Sequence, residues 1–151
     1  MALLIICLAS IGCGTLFTDK YKTERYQAVH EATLNGEKDK MDAMLNTAPH
    51  LIATRDENDN TLLHLAVLRN EIAEAQDLLS RKADVNAINS AGMTPLHLAA
   101  KFDEMQMTKL LLSKKPNLSI RDKRGLTPLD WATKTHHSEI EALLRNSGAS
   151  E

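Results

Sequence analysis

Three short blocks recur along this chain at a fixed interval. They are Thr61-Leu62-Leu63-His64-Leu65-Ala66, Thr94-Pro95-Leu96-His97-Leu98-Ala99 and Thr127-Pro128-Leu129-Asp130-Trp131-Ala132, each 33 residues after the one before. The same offset carries Leu78 to Leu111 and Leu144, and Ala83-Asp84-Val85-Asn86 onto Pro116-Asn117-Leu118-Ser119. A weaker first copy runs from Val29-His30-Glu31-Ala32 through Asn35-Gly36 to Met44-Leu45, in step after one extra residue before Thr61. Units therefore begin near residues 25, 56, 89 and 122. A period of this length marks stacked supersecondary units rather than one globular core.

Each unit carries its own local instructions. Gly92 and Gly125 stand at turns, where a positive φ is tolerated. Thr94 and Thr127 follow as helix caps, with Pro95 and Pro128 just inside the helix, where no amide donor is needed. Leu96, Ala99 and Ala100 give the first helix a small apolar face, and Met107, Leu110 and Leu111 recur at helical spacing on the second. With one Trp, two Tyr and two Phe in 151 residues, the core must be packed from aliphatic side chains, which favours an all-α protein. No helix hairpin of this size encloses its own apolar face, so stacking must create the core.

On these blocks the chain, over residues 25–149, resembles the ankyrin-repeat family. The resemblance implies an all-α solenoid of about four helix hairpins, with an atypical first unit that lacks Thr-Pro and a polar last unit. It also implies that His64 and His97 bond to the backbone of adjacent loops. Asp59 stands where the turn glycine is expected and Leu62 replaces the proline, which predicts a looser turn there. Lys82-Ala83 and Lys115-Pro116 stand where the family places Gly-Ala, requiring a left-handed lysine or an altered turn twice.

The amino terminus is of different character. Residues 2–12 are apolar or small, Cys13-Gly14 follow, and a polar segment begins at Thr18. The run matches a signal h-region and is too short for the roughly 20 residues that span a bilayer. Ser10 and Gly12 before Cys13 resemble the lipobox of bacterial lipoproteins, although Ser10 stands where that family has Leu and no Lys or Arg lies near Met1. The expectation is a signal over 1–13, lipid on Cys13, a tether over 14–24 reaching roughly 35 Å when extended, and a repeat domain over 25–151. An ordinary cleaved signal, an uncleaved anchor and a misassigned start are the alternatives. Both cysteines lie within the first 13 residues, which leaves no pair for a disulfide inside the repeats.

Chemistry finds little footing in these residues. There is no Gly-x-Ser-x-Gly elbow, no phosphate-cradling loop and no cysteine after residue 13. Among six histidines, His64 and His97 belong to the repeat, and stacked equivalents roughly 10 Å apart cannot share a zinc whose ligands lie about 2 Å from the ion. His136 and His137 diverge by about 100° on a helix. Glu71, Glu74 and Asp77, with Arg69 and Arg81 near, read as a solvated helix face. Neither a catalytic residue, a metal site nor a cofactor is expected, and a formal net charge of −2 disfavours nucleic acid.

A binding surface is the remaining reading. The resemblance puts it on the turn tips and the exposed side of each first helix. Residue by residue, these are Glu57, Asn58, Asn60, Leu68 and Arg69; Ser90, Ala91, Met93, Lys101 and Phe102; and Lys123, Arg124, Leu126, Lys134 and Thr135. Leu68, Met93, Phe102 and Leu126 are expected to form an exposed apolar ribbon. Acidic Asp56, Glu57 and Asp59 flank its start, and basic Arg121, Lys123, Arg124, Lys101 and Lys134 flank its end. The functional expectation is a non-enzymatic interaction module in the bacterial envelope. It would be anchored in the outer membrane through its lipid alone, face the periplasm, and bind or inhibit another protein, for example as an immunity protein against a secreted toxin. An envelope structural or stress-related accessory and a cytosolic scaffold are the alternatives.

Overall fold

The computed structural model describes residues 14–149, so Cys13 and the expected signal lie outside the described residues. Eight α-helices follow in order: α1 (Gly14–Asn35), α2 (Lys38–Thr47), α3 (Leu62–Leu68), α4 (Ile72–Ser80), α5 (Pro95–Lys101), α6 (Met105–Leu112), α7 (Pro128–Lys134) and α8 (Ser138–Asn146). A 3-10 turn, Pro49–Ala53, follows α2. Among the described residues the sole extended pairing is an isolated bridge between Arg55 and Thr61. Residues 14–24, expected as a tether, lie within α1; in helical form they reach about 16 Å, less than half their extended length.

Consecutive helices pair as hairpins, α1 with α2, α3 with α4, α5 with α6 and α7 with α8. The first helices touch in the series α1, α3, α5, α7, and the second helices in the series α4, α6, α8. This is the row of hairpins that the 33-residue period demands. The core runs through every unit: Met41 and Leu45, then Leu62, Leu63 and Leu78, then Leu96, Met107 and Leu111, then Leu129, Ile140 and Leu144, all fully buried. Ala66, Ala99 and Ala132 are likewise fully buried, and their small size lets adjacent inner helices approach closely.

Thr94 and Thr127 cap α5 and α7 as expected, each hydroxyl accepting an amide three residues on, from His97 and Asp130. In units two to four, three turns per unit call for left-handed backbone, and most are made without glycine. After the first helices stand Gly36, Asn70, Asp103 and His136, and after the second helices Lys82, Lys115 and Gly148, all at positive φ. Lys82 at φ 67° and Lys115 at φ 52° therefore keep the regular turn and bear its strain.

Asp59 likewise takes φ 58°, and its turn closes with the same backbone bond as its neighbours. Its amide bonds Asp56 O at 3.0 Å, as Gly92 and Gly125 bond Asn89 O and Asp122 O at 2.8 Å. The reason lies in Asp56, whose Oδ1 accepts the amides of Asn58 and Asn60 and ties the turn from within.

One helix-face expectation is corrected. Asp77 does pair with Arg81 at the surface, but Glu74 is 3% exposed and its Oε1 has no hydrogen-bond partner. Burial, reinforced by the nearby charge of Glu71, pushes its carboxyl up to about 7. A raised folded value means that Glu74 contributes most below the unfolded value near 4.5 and that this contribution is lost as pH rises through about 7.

Two outcomes follow for denaturant titrations. Lys82→Gly and Lys115→Gly should each stabilise the protein by about 1 kcal/mol by relieving a left-handed side chain. Glu74→Gln should gain stability relative to the parent between pH 4.5 and 7, by on the order of 2–3 kcal/mol across that window; a flat difference would contradict the buried-acid assignment.

Candidate interaction surface

The turns that precede α3, α5 and α7 are built alike. Asp56, Asn89 and Asp122, spaced by 33 residues, each turn a side-chain oxygen onto the amides two and four residues on, at 2.8–3.0 Å. Adjacent turns are then linked by backbone, Ser90 N–H to Asn58 O at 2.9 Å and Lys123 N–H to Ala91 O at 3.0 Å. Gly92 stands at that contact: a Cβ there would meet the amide nitrogen of Lys123 at 2.9 Å. The result is a rigid row of tips beside the inner helices.

Histidine fastens each unit to the next. His64 Nδ1 accepts from Thr61 N–H, and its Nε2–H donates to Met93 O at 2.9 Å. His97 does the same with Thr94 N–H and with Leu126 O at 3.1 Å. This arrangement fixes the neutral tautomer. Burial pushes His64 down to about 4 and lowers His97 as well. Neither imidazole is free for catalysis or metal binding, and among the described residues no three His, Cys, Asp or Glu side chains converge on an ion site.

The positions expected to form the surface differ in exposure. Glu57, Asn58, Arg69, Ser90, Ala91, Lys123, Arg124 and Lys134 are exposed, and Lys101 and Thr135 are half-buried. Leu68 and Phe102 stand out at 44% and 50% exposure. Met93 and Leu126 do not fit the ribbon, and Asn60 is not an exposed tip. Met93 is 7% exposed and belongs to the core, because the chain enters α5 here with its carbonyl held by His64. Leu126 is half-buried against the same core. Asn60 is buried, with its side chain spent on Asp56 and Asn89.

Two apolar positions were missed, Leu34 and Ile88, both exposed by more than two-fifths. Leu34 is the first-unit equivalent of Leu68 in the repeat register, so the period itself held the signal. Ile88 lies in register between Arg55 and Arg121, with its carbonyl accepting from Arg55 at 2.6 Å. Leu34 lines a groove of about 620 Å³ between α1 and the first turn, together with Tyr26, His30, Glu31, Asp56 and Glu57.

At the opposite end Trp131 is packed in the core, and its indole N–H donates to Asp122 Oδ2 at 2.8 Å. Burial alone would raise the Asp122 carboxyl, but the Leu126 amide, the indole and the Arg124 amide together hold it below its ordinary value. Lys101, Arg124 and Lys134 lie over the Trp131 ring at 5.0, 5.6 and 5.8 Å from its centroid.

A family model described as "Ankyrin repeats (3 copies)" matches residues 73–150. Ankyrin repeat domain-containing protein 13C-B of Xenopus laevis is 35% identical over 74 residues. Ankyrin repeat domain-containing protein 13C of Xenopus tropicalis is 34% identical over the same length. Each match covers 49% of this chain and 14% of the relative, so the chain corresponds to a small part of those proteins.

The row of tips has a direct test. Gly125→Ala, with open space around the added methyl, should cost only the left-handed strain of about 1–2 kcal/mol. Gly92→Ala meets the Lys123 backbone in addition and should cost clearly more in thermal or denaturant melts; equal losses would mean that the turns do not brace one another.

Proposed function

The chain belongs to the ankyrin-repeat family, and on that premise we propose that it acts by gripping one partner protein along the inner helices and turn tips, with no chemistry of its own. The observation that carries this reading is the exposure of Leu68 and Phe102, large apolar side chains that the core does not use. They lie between an acidic tip at Asp56 and Glu57 and a basic end at Lys101, Lys123, Arg124 and Lys134. Apolar anchors within a polar rim are the usual composition of a binding centre.

The finer reading is a lipid-anchored envelope protein that blocks a toxin. It is supported by the apolar run over residues 2–12 ending at Cys13, and by a rigid row of tips of the kind that can plug a cleft. Lipid on Cys13 would hold the array at a membrane surface, with the helical 14–24 segment keeping it close.

Leu68→Asp with Phe102→Asp should leave the melting temperature within a few degrees of the parent while abolishing capture of the partner. Retained capture by a folded double variant would refute the surface. Mass spectrometry of the mature amino terminus should show a diacylglyceryl adduct on Cys13, and an unmodified, unprocessed terminus would remove the envelope reading.

A further inference from the structure

Trp131 sits under a concentration of positive charge that the fold leaves unneutralised. Lys101 from α5, Arg124 from the turn and Lys134 from α7 converge on one indole, and Lys123 stands beside Arg124 on the same tip. Other cations are paired, Lys38 and Arg81 with Asp42, Lys40 with Glu37, Arg69 with Glu71 and Arg121 with Asp130, or, like Arg55, Lys82, Lys109, Lys114 and Lys115, make no ion pair among the described residues but do not gather over an aromatic ring. Among the described residues none of Lys101, Lys123, Arg124 and Lys134 makes an ion pair. Asp122, the acid that holds the indole, is buried with both carboxylate oxygens occupied by two amides and the indole. The ring face offsets part of the mutual repulsion, and an anion set among these groups would remove the rest.

We infer that this end of the surface formed by the inner helices and turn tips binds an acidic segment of the partner protein, a short run of Asp or Glu side chains laid across Lys101, Arg124 and Lys134. The inference deepens the proposed function of that surface and rests on it. A uniform polyanion fits less well, because the opposite end of the same face presents Glu31, Asp56 and Glu57, which would repel a nucleic acid or an anionic membrane lying along the array. A polypeptide can carry acid at one end only. Phe102, exposed beside Lys101 with the ammonium 5.1 Å from its ring, offers an apolar anchor next to the charge.

Trp131 is the single tryptophan of the chain, so its emission reads the site without a label. The full chain is titrated with a hexaglutamate peptide, with a single-stranded oligonucleotide and with phosphatidylserine vesicles, and binding is confirmed by calorimetry. The peptide should change Trp131 emission saturably. Its Kd should weaken with salt and by at least about tenfold in Lys101→Glu with Lys134→Glu. The milder pair Lys101→Met and Lys134→Met keeps the apolar stems over the ring, should melt like the parent, and should weaken the peptide less.

Lys109→Glu with Lys114→Glu, on the outer layer, should leave binding unchanged. No peptide binding, equal Kd in the Met pair and the parent, or tighter binding of oligonucleotide or vesicles through Lys101 and Lys134 would each overturn the acidic-segment inference. If only the outer-layer pair proves sensitive, the reading of the inner helices and turn tips as the binding surface fails as well; if neither pair matters, that reading survives and the acidic segment does not.

Discussion

A helix of seven residues does not persist alone in water, since isolated helices shorter than about 12–15 residues are marginal even with good sequences. α3, α5 and α7 are all of that length. Their existence depends on side-by-side burial, and the sequence meets that demand by spending its alanines where inner helices touch and its leucines, methionines and isoleucine where layers meet. Every other feature, from caps to charged tips, is arranged on that requirement.

Burial holds units together without fixing their register, and the imidazoles supply the register. In units two and three a histidine closes the local cap with one nitrogen and reaches the following turn with the other. In the last described unit Asp130 takes the position, accepts from Thr127 N–H and hydroxyl, and has no second arm. No further turn follows within the described residues, so the local half of the task is all that is left there. One repeat position thus carries two chemistries, bridging to the next turn in units two and three and closing only the local cap in the last described unit.

Much of this was legible because a period repeats information. Caps, hairpins and order of stacking follow from residues read at one offset, and the turns at Lys82 and Lys115 follow up to the choice between a left-handed lysine and an altered turn. Burial of individual tip residues does not, because a turn tip presents both faces within three residues. Met93 and Leu126, each immediately before a cap threonine, turn toward the core, while Ile88 points outward. Glu74 was misread because its neighbours Glu71 and Asp77 are indeed accessible, and charge type alone does not reveal which member of a helix face turns inward. The cation cluster on Trp131 draws on positions 101, 124, 131 and 134, which become neighbours only once α5 and α7 are packed together.

The side-chain bonds that tie one unit to the next join residues only 29 to 39 positions apart, as in His64 to Met93 and Arg81 to Asp42. Such a chain has low contact order, and it can assemble from any adjacent pair without first closing a long loop. It can also grow or shrink by whole units with no rethreading, so the length of its gripping edge is a variable that duplication or deletion can adjust while the packing at every junction stays the same.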